Sequence, residues 1–257
     1  MIGAAVDAGR VPEMPLRRRL AAEMLGTSFL LIAVVGSGIA GGRLGAGSAA
    51  LALLAEALAT GAALFVLIEC LAPLSGAHFN PLVTLALLFR GDIEARAAAA
   101  YIPAQLLGAV IGVGAANVMF DAPVFSLSTH VRGGPAQTLG EFVSTFGLVG
   151  AVWTCSRTRP SALAGVVAVY IFGVFWFTPT GFANPALTVA RVFTDSFSGI
   201  RPADVPGFIA GQAAGAAAAV AVFRWLVPGA RTGGRGGMTP EAGARRSSRR
   251  PGGHSPP

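Results

Sequence analysis

Apolar residues in this chain run together in six stretches near 20 residues, at 20–41, 49–71, 97–119, 136–155, 161–177 and 207–227. A helix rises about 1.5 Å per residue and a bilayer core is about 30 Å thick, so each stretch is long enough to cross a membrane as a helix. Two further apolar stretches, 79–89 and 183–193, hold about 11 residues each. They reach roughly halfway across such a core and cannot span alone. The pattern therefore predicts an all-α membrane protein of six spanning helices and two half-length helices that enter and return.

The short polar segments between runs add a topology. Arg17, Arg18, Arg19, Arg90, Arg96, Arg157, Arg159, Arg224 and Arg231 fall on one side of the predicted spans, and Arg43, Arg132, Arg191 and Arg201 on the other. The basic excess predicts cytoplasmic termini at both ends. All 19 basic residues are arginine, and the isoelectric point is near 11.1. Their scatter between apolar runs reads as orientation and not as a nucleic-acid stripe. Composition agrees, with 53% hydrophobic residues, 12% charged and a mean hydropathy of +0.65, which a water-facing surface hardly sustains. The 20–41 run exceeds the apolar core of a cleavable signal and is taken as a retained first span. Residues 1–16 form a short N-terminal segment, 17–227 the membrane domain, and 228–257 a Gly-, Pro-, Ser- and Arg-rich tail. Such a tail lacks the apolar content to pack, and its charge suits anionic lipid headgroups.

The chain also repeats itself. Glu23 in an Ala-Glu-Met-Leu-Gly-Thr segment matches Glu141 in Gly-Glu-Phe-Val-Ser-Thr; Asn80-Pro81-Leu82-Val83-Thr84 matches Asn184-Pro185-Ala186-Leu187-Thr188; and the segment from Tyr101 to Gly108 matches that from Phe208 to Gly215. Repeat one occupies about 17–120 and repeat two 136–227. Each half holds three full spans, an odd number, so the second enters the membrane inverted and one half-helix dips in from each side. Asn is a good helix N-cap and Pro is favoured at the first helical position, so both Asn-Pro pairs start helices. The two N-termini, each carrying about half a positive elementary charge, then face one another and oppose cations and protons. The asparagine amides can donate to a neutral solute. The irregular backbone ahead of them, 73–79 and 178–183, can offer carbonyls, which is tolerable at that depth only along a hydrated cavity.

Ser75-Gly76-Ala77-His78-Phe79-Asn80-Pro81 and Gly181-Phe182-Ala183-Asn184-Pro185-Ala186, set in inverted halves, resemble the paired motifs of the major intrinsic proteins, the aquaporins and aquaglyceroporins. The 184–191 and 195–204 segments resemble most a bacterial branch associated with arsenic-resistance operons. The resemblance implies an aquaporin-like bundle in a bacterial inner membrane, a homotetramer with one pore per subunit, passive passage of small neutral solutes, and no cofactor. It also implies that Glu23 and Glu141 anchor the motif loops, against the alternative that such intramembrane acids couple protons.

The family's outer constriction has four positions, and here they fall on Thr60, Phe172 (or Ile171 if the preceding loop carries one more residue), Gly181 and Leu187. The family's usual aromatic and arginine are thus replaced by Thr60 and Leu187, which predicts a wider and less polar mouth. Glycerol-like polyols and arsenous acid, neutral at pH 7, become candidate solutes. Leu82 stands where alanine is usual, either narrowing the lumen or packing against the neighbouring half-helix. Arg191 is expected to cap its half-helix and pair with Asp195. The alternative places its guanidinium in the outer vestibule opposite Glu56. His78 is pore-adjacent or a satisfied structural histidine, and His130 reads as a solvated loop residue.

Rival functions leave weaker traces. A secondary transporter shares inverted repeats but needs an ion-coupling site, and Glu56 and Glu69 stand near span ends without an evident basic partner. No nucleophile with a base, metal-ligand cluster or phosphate-binding glycine loop occurs at usable spacing, so neither an enzyme nor a metal site is expected. Cys70 and Cys155 read as ordinary thiols.

Overall fold

A computed structural model describes residues 14–227. The predicted segments before residue 14 and after 227, the basic tail among them, lie outside the described residues. Six helices are long and apolar enough to cross a membrane. They are α1 (Leu16–Leu44), α2 (Ala49–Ser75), α4 (Ala95–Met119), α5 (Pro135–Thr158), α6 (Leu163–Phe177), which reaches spanning length with the 3-10 turn Pro160–Ala162 before it, and α8 (Val205–Leu226). Two short helices, α3 (Pro81–Arg90) and α7 (Pro185–Ala190), occupy the predicted half-length stretches, α7 running on as a 3-10 turn over Arg191–Phe193. Phe29, Leu58, Phe65, Val169 and Trp225 stand exposed on the outer faces of the long helices, as lipid contact requires. The chain is an integral membrane protein.

The halves are built alike. Within the first, α1 packs along α4 and α2; within the second, α5 packs along α8 and α6. The halves join through α2 against α6, and through the short helices: α3 touches α5 and α8 of the other half, and α7 touches α4. Backbones approach closely where glycine permits. A Cβ at Gly108 would strike the Met24 backbone of α1, and the repeat-matched Gly215 of α8 lies equally tight on Phe142 of α5. Small residues allow this contact in a bilayer, where packing and hydrogen bonding rather than hydrophobicity hold helices together.

Helix α2 departs from the sequence reading. It continues through Pro73 to Ser75, and Gly76, at φ 90°, caps it in the left-handed region. The irregular backbone of the first half is thus confined to residues 76–80, and that of the second to 178–184.

These contacts predict opposite outcomes for two glycine substitutions. Gly108→Ala wedges α1 from α4 and lowers the apparent unfolding temperature in detergent, by the equivalent of about 1–3 kcal/mol. Gly165→Ala, on α6 with open space around it, raises it slightly through helix propensity, by about 0.5–1 kcal/mol.

Candidate functional site

Each half-helix starts where its sequence says it should. Asn80 caps α3, its Oδ1 accepting from Leu82 N at 2.9 Å, and Asn184 caps α7, its Oδ1 accepting from Ala186 N at 3.0 Å. Pro81 and Pro185 hold the first helical positions. The caps use only the asparagine oxygens. The amide nitrogens cross to the other half: Asn80 Nδ2 donates to the Ala183 carbonyl, and Asn184 Nδ2 to the Phe79 carbonyl, both at 2.8 Å. One amide hydrogen of each asparagine is therefore committed to the opposing loop. The other remains for the cavity, which both residues line.

The carbonyls that accept these bonds belong to Phe79 and Ala183, each at φ 49°. The left-handed region is costly for residues bearing a Cβ and persists only when surroundings over-determine it. Here they do. Glu23, fully buried, accepts at Oε1 from Ser75 Oγ (2.6 Å) and His78 N (2.9 Å), and at Oε2 from Phe79 N (2.7 Å) and Gln105 Nε2 (2.9 Å). Glu141 repeats the device with Phe182 N (3.0 Å), Ala183 N (2.9 Å) and Gln212 Nε2 (2.7 Å). Each glutamine also bonds the threonine of its half-helix, Gln105 to Thr84 and Gln212 to Thr188, whose hydroxyls donate to the Asn80 and Asn184 carbonyls. A carboxylate that receives three or four donors anchors a loop.

Beside the joined tips runs a cavity of about 310 Å³. At the face where α1 begins, its wall includes Arg19, Arg90 and Asp92; at the opposite face it includes Gly181, Phe182 and Arg191. Leu30, Val34, Leu64, Ile68 and Val83 give it apolar sides, and Asn80, Asn184 and the segment 75–79 complete its wall. His78 lines it too, its Nδ1 3.0 Å from Thr84 Oγ1 and its ring edge-on to Tyr101.

At the end opposite the start of α1 the structure places Thr60, Ile171, Gly181 and Leu187 on the cavity wall. Phe172 is not on it: its Cβ lies towards Gly61 of α2. One residue on a helix is about 100° of rotation, enough to exchange lumen for packing. Thr60 Oγ1 is buried and has no partner among the described residues. Leu82 does not narrow the lumen either, since it packs with Ala86, Val149, Ala216 and Ala219. His130 sits in the loop between α4 and α5, its carbonyl accepting from Arg201 N at 2.8 Å, and does not line the cavity.

Two readings of the charges are corrected. Arg191 does not pair with Asp195, which instead accepts from the Thr129 N–H and hydroxyl at 2.8 and 3.0 Å. These bonds hold the Asp195 carboxyl below its usual range. Arg191 reaches Glu56, Nη2 to Oε1 at 3.0 Å, with both side chains almost fully buried. Glu56 therefore has a basic partner 135 residues away in sequence, the one offered by the alternative reading of Arg191.

A bundle of inverted halves, with two half-helix tips tied through their asparagines beside a cavity, defines a membrane channel rather than an enzyme. The major intrinsic protein family profile matches residues 11–179, and the chain belongs to that family. It is 50% identical over 220 residues, covering 85% of this chain and 94% of the relative, to the aquaglyceroporin AqpS of Rhizobium meliloti (strain 1021). It is 29% identical over 250 residues to a probable aquaporin PIP2-8 of Oryza sativa subsp. japonica, covering 88% and 87% of the two chains. The X-ray structure of the aquaglyceroporin from Plasmodium falciparum shares the fold, with a TM-score of 0.65 at 21% identity over 83% of this chain and 98% of the other.

The carboxylate anchors generate a prediction. Glu23→Ala leaves buried donors from Ser75, His78, Phe79 and Gln105 without an acceptor, at about 1–3 kcal/mol for each unsatisfied group. Detergent-solubilised protein should unfold at a clearly lower temperature. Glu69→Ala, at an exposed position of α2, should leave that temperature near wild type.

Proposed function

We propose that this protein is a passive channel for small uncharged solutes, carrying water, glycerol-like polyols and arsenous acid down their gradients while excluding ions and protons. The observation that carries the reading is the outer end of the cavity. Thr60, Ile171, Gly181 and Leu187 share its wall there, and together they form the selectivity filter. Thr60 stands where the family's aromatic is usual and Leu187 where its arginine is usual, and Arg191, one turn further on, is drawn to Glu56, so the filter admits a trihydroxy solute that a water-sized constriction would reject. Apolar sides strip little from a polyol's carbon backbone, while the spare asparagine hydrogens and the backbone carbonyls replace the hydration of its hydroxyls. The opposed half-helix N-termini supply a positive potential that charged cations and protons avoid.

Similarity to AqpS of Rhizobium meliloti, an aquaglyceroporin by name and 50% identical over most of both chains, supports the wider solute range. The arginine excess on one face supports cytoplasmic termini in a bacterial inner membrane. The exposed apolar faces of the long helices suit both lipid and the subunit contacts of a homotetramer.

Stopped-flow light scattering on proteoliposomes tests the solute range. Purified protein should accelerate glycerol and arsenous acid uptake as well as water flow, and fast water flow alone would overturn the wide-filter reading. Leu187→Arg should cut glycerol uptake by about tenfold or more, equivalent to roughly 1.4 kcal/mol on the barrier, with a smaller loss of water flow. Accumulation of solute against its gradient would point instead to a coupled transporter.

A further inference from the structure

The site leaves one group unexplained: a buried ion pair in the outer half, its arginine on the pore wall and its glutamate behind it. Arg191 ends the second half-helix and is 3% exposed, and Glu56 on α2 is 1% exposed. A lone charge at such a place would be costly, and a paired one is stable only if its remaining hydrogen-bonding groups are satisfied. Most of them are. Arg191 Nη2 donates to Glu56 Oε1 at 3.0 Å and Arg191 Nε to the Ser198 carbonyl. Ser198 Oγ donates to the same Glu56 oxygen, also at 3.0 Å. The guanidinium lies 3.5 Å over the ring of Phe182, itself on the pore wall. Its third nitrogen, Nη1, has no partner among the described residues, and Arg191 lines the cavity.

Glu56 and Thr60 stand one helical turn apart on α2, and Leu187 and Arg191 one turn apart after the second motif. The four residues thus form two neighbouring layers, one uncharged and one charged. Arg132 also approaches Phe182, at 5.4 Å, but its donors go to the carbonyls of Gly199 and Phe197 and it does not line the cavity. The charge borne by the wall itself at this level is therefore Arg191, and Glu56, buried directly behind it, is its counter-charge.

We propose that Glu56 and Arg191 form a charge-neutral layer that determines ion selectivity in the outer half of the pore. The guanidinium offers a fixed hydrogen-bond donor to solute hydroxyls, and the carboxylate cancels its charge, so the layer attracts neither anions nor cations. The inference rests on the channel reading above. Removing one partner exposes the other charge to a narrow, low-dielectric passage, where its effect on ions is large.

The test is a charge-swap series in proteoliposomes, with glycerol uptake recorded in every preparation to show a folded, open channel. Ion leaks are read as sodium and nitrate permeation under an imposed potential. Glu56→Gln keeps an oxygen for Arg191 and leaves its positive charge uncompensated, so nitrate leak should rise by about tenfold or more. Arg191→Gln leaves the carboxylate, and sodium leak should rise by a similar factor, about tenfold or more. The double variant Glu56→Gln/Arg191→Gln should return both leaks to within about twofold of wild type, because neutrality is restored. Glycerol-conducting single variants with unchanged leaks, or a double variant as leaky as either single one, would overturn the proposal. Absence of both water and glycerol flux in the wild type would instead overturn the channel reading itself.

Discussion

Two reciprocal hydrogen bonds of 2.8 Å, each from an asparagine amide to the carbonyl preceding the opposite asparagine, govern the architecture. They join residues 103 and 105 positions apart in sequence. In water such bonds would be worth little, since the unfolded groups would find solvent. Inside a bilayer, irregular backbone has no such refuge and must be satisfied within the protein. Tying each tip to the other satisfies both loops at once and brings two like helix dipoles together, an arrangement that electrostatics alone would oppose.

The rest of each half supports that junction. Glutamate, glutamine and threonine from three different helices converge on one loop, in the same order in both repeats, and fix the left-handed residues whose carbonyls receive the cross-bonds. The closeness of α1 to α4 and of α5 to α8, set by Gly108 and Gly215, brings the carboxylate within reach of the glutamine. Helix packing, loop geometry and the lumen wall are consequently parts of one construction. A change in any of them reaches the asparagines.

Much of this was legible in the sequence because it is local or repeated. Run lengths gave the spans, Asn-Pro gave the half-helix starts, and the matched landmarks gave the inversion. Less legible were features that depend on rotation or on distant pairing. Phe172 and Ile171 differ by one residue of loop length, and only the packing of α6 on Gly61 decides which one faces the cavity. Glu56 and Arg191 were each visible as one turn beyond a filter position, yet nothing near Arg191 favoured a partner 135 residues away over Asp195 four residues on. The crossing of the asparagine amides left no local trace at all, since capping accounts for both residues without it.

Leu82 shows how loosely the lettering of such a motif can be bound to its chemistry. Its side chain belongs to a small apolar cluster on α5 and α8, so the third letter of the first motif is written by the neighbouring helices and not by the solute. Over evolutionary time that position is free to drift together with Val149, Ala216 and Ala219, while the asparagine two places earlier is held by a partner in the other half. Lineages of this architecture can therefore diverge in motif spelling without diverging in what they conduct.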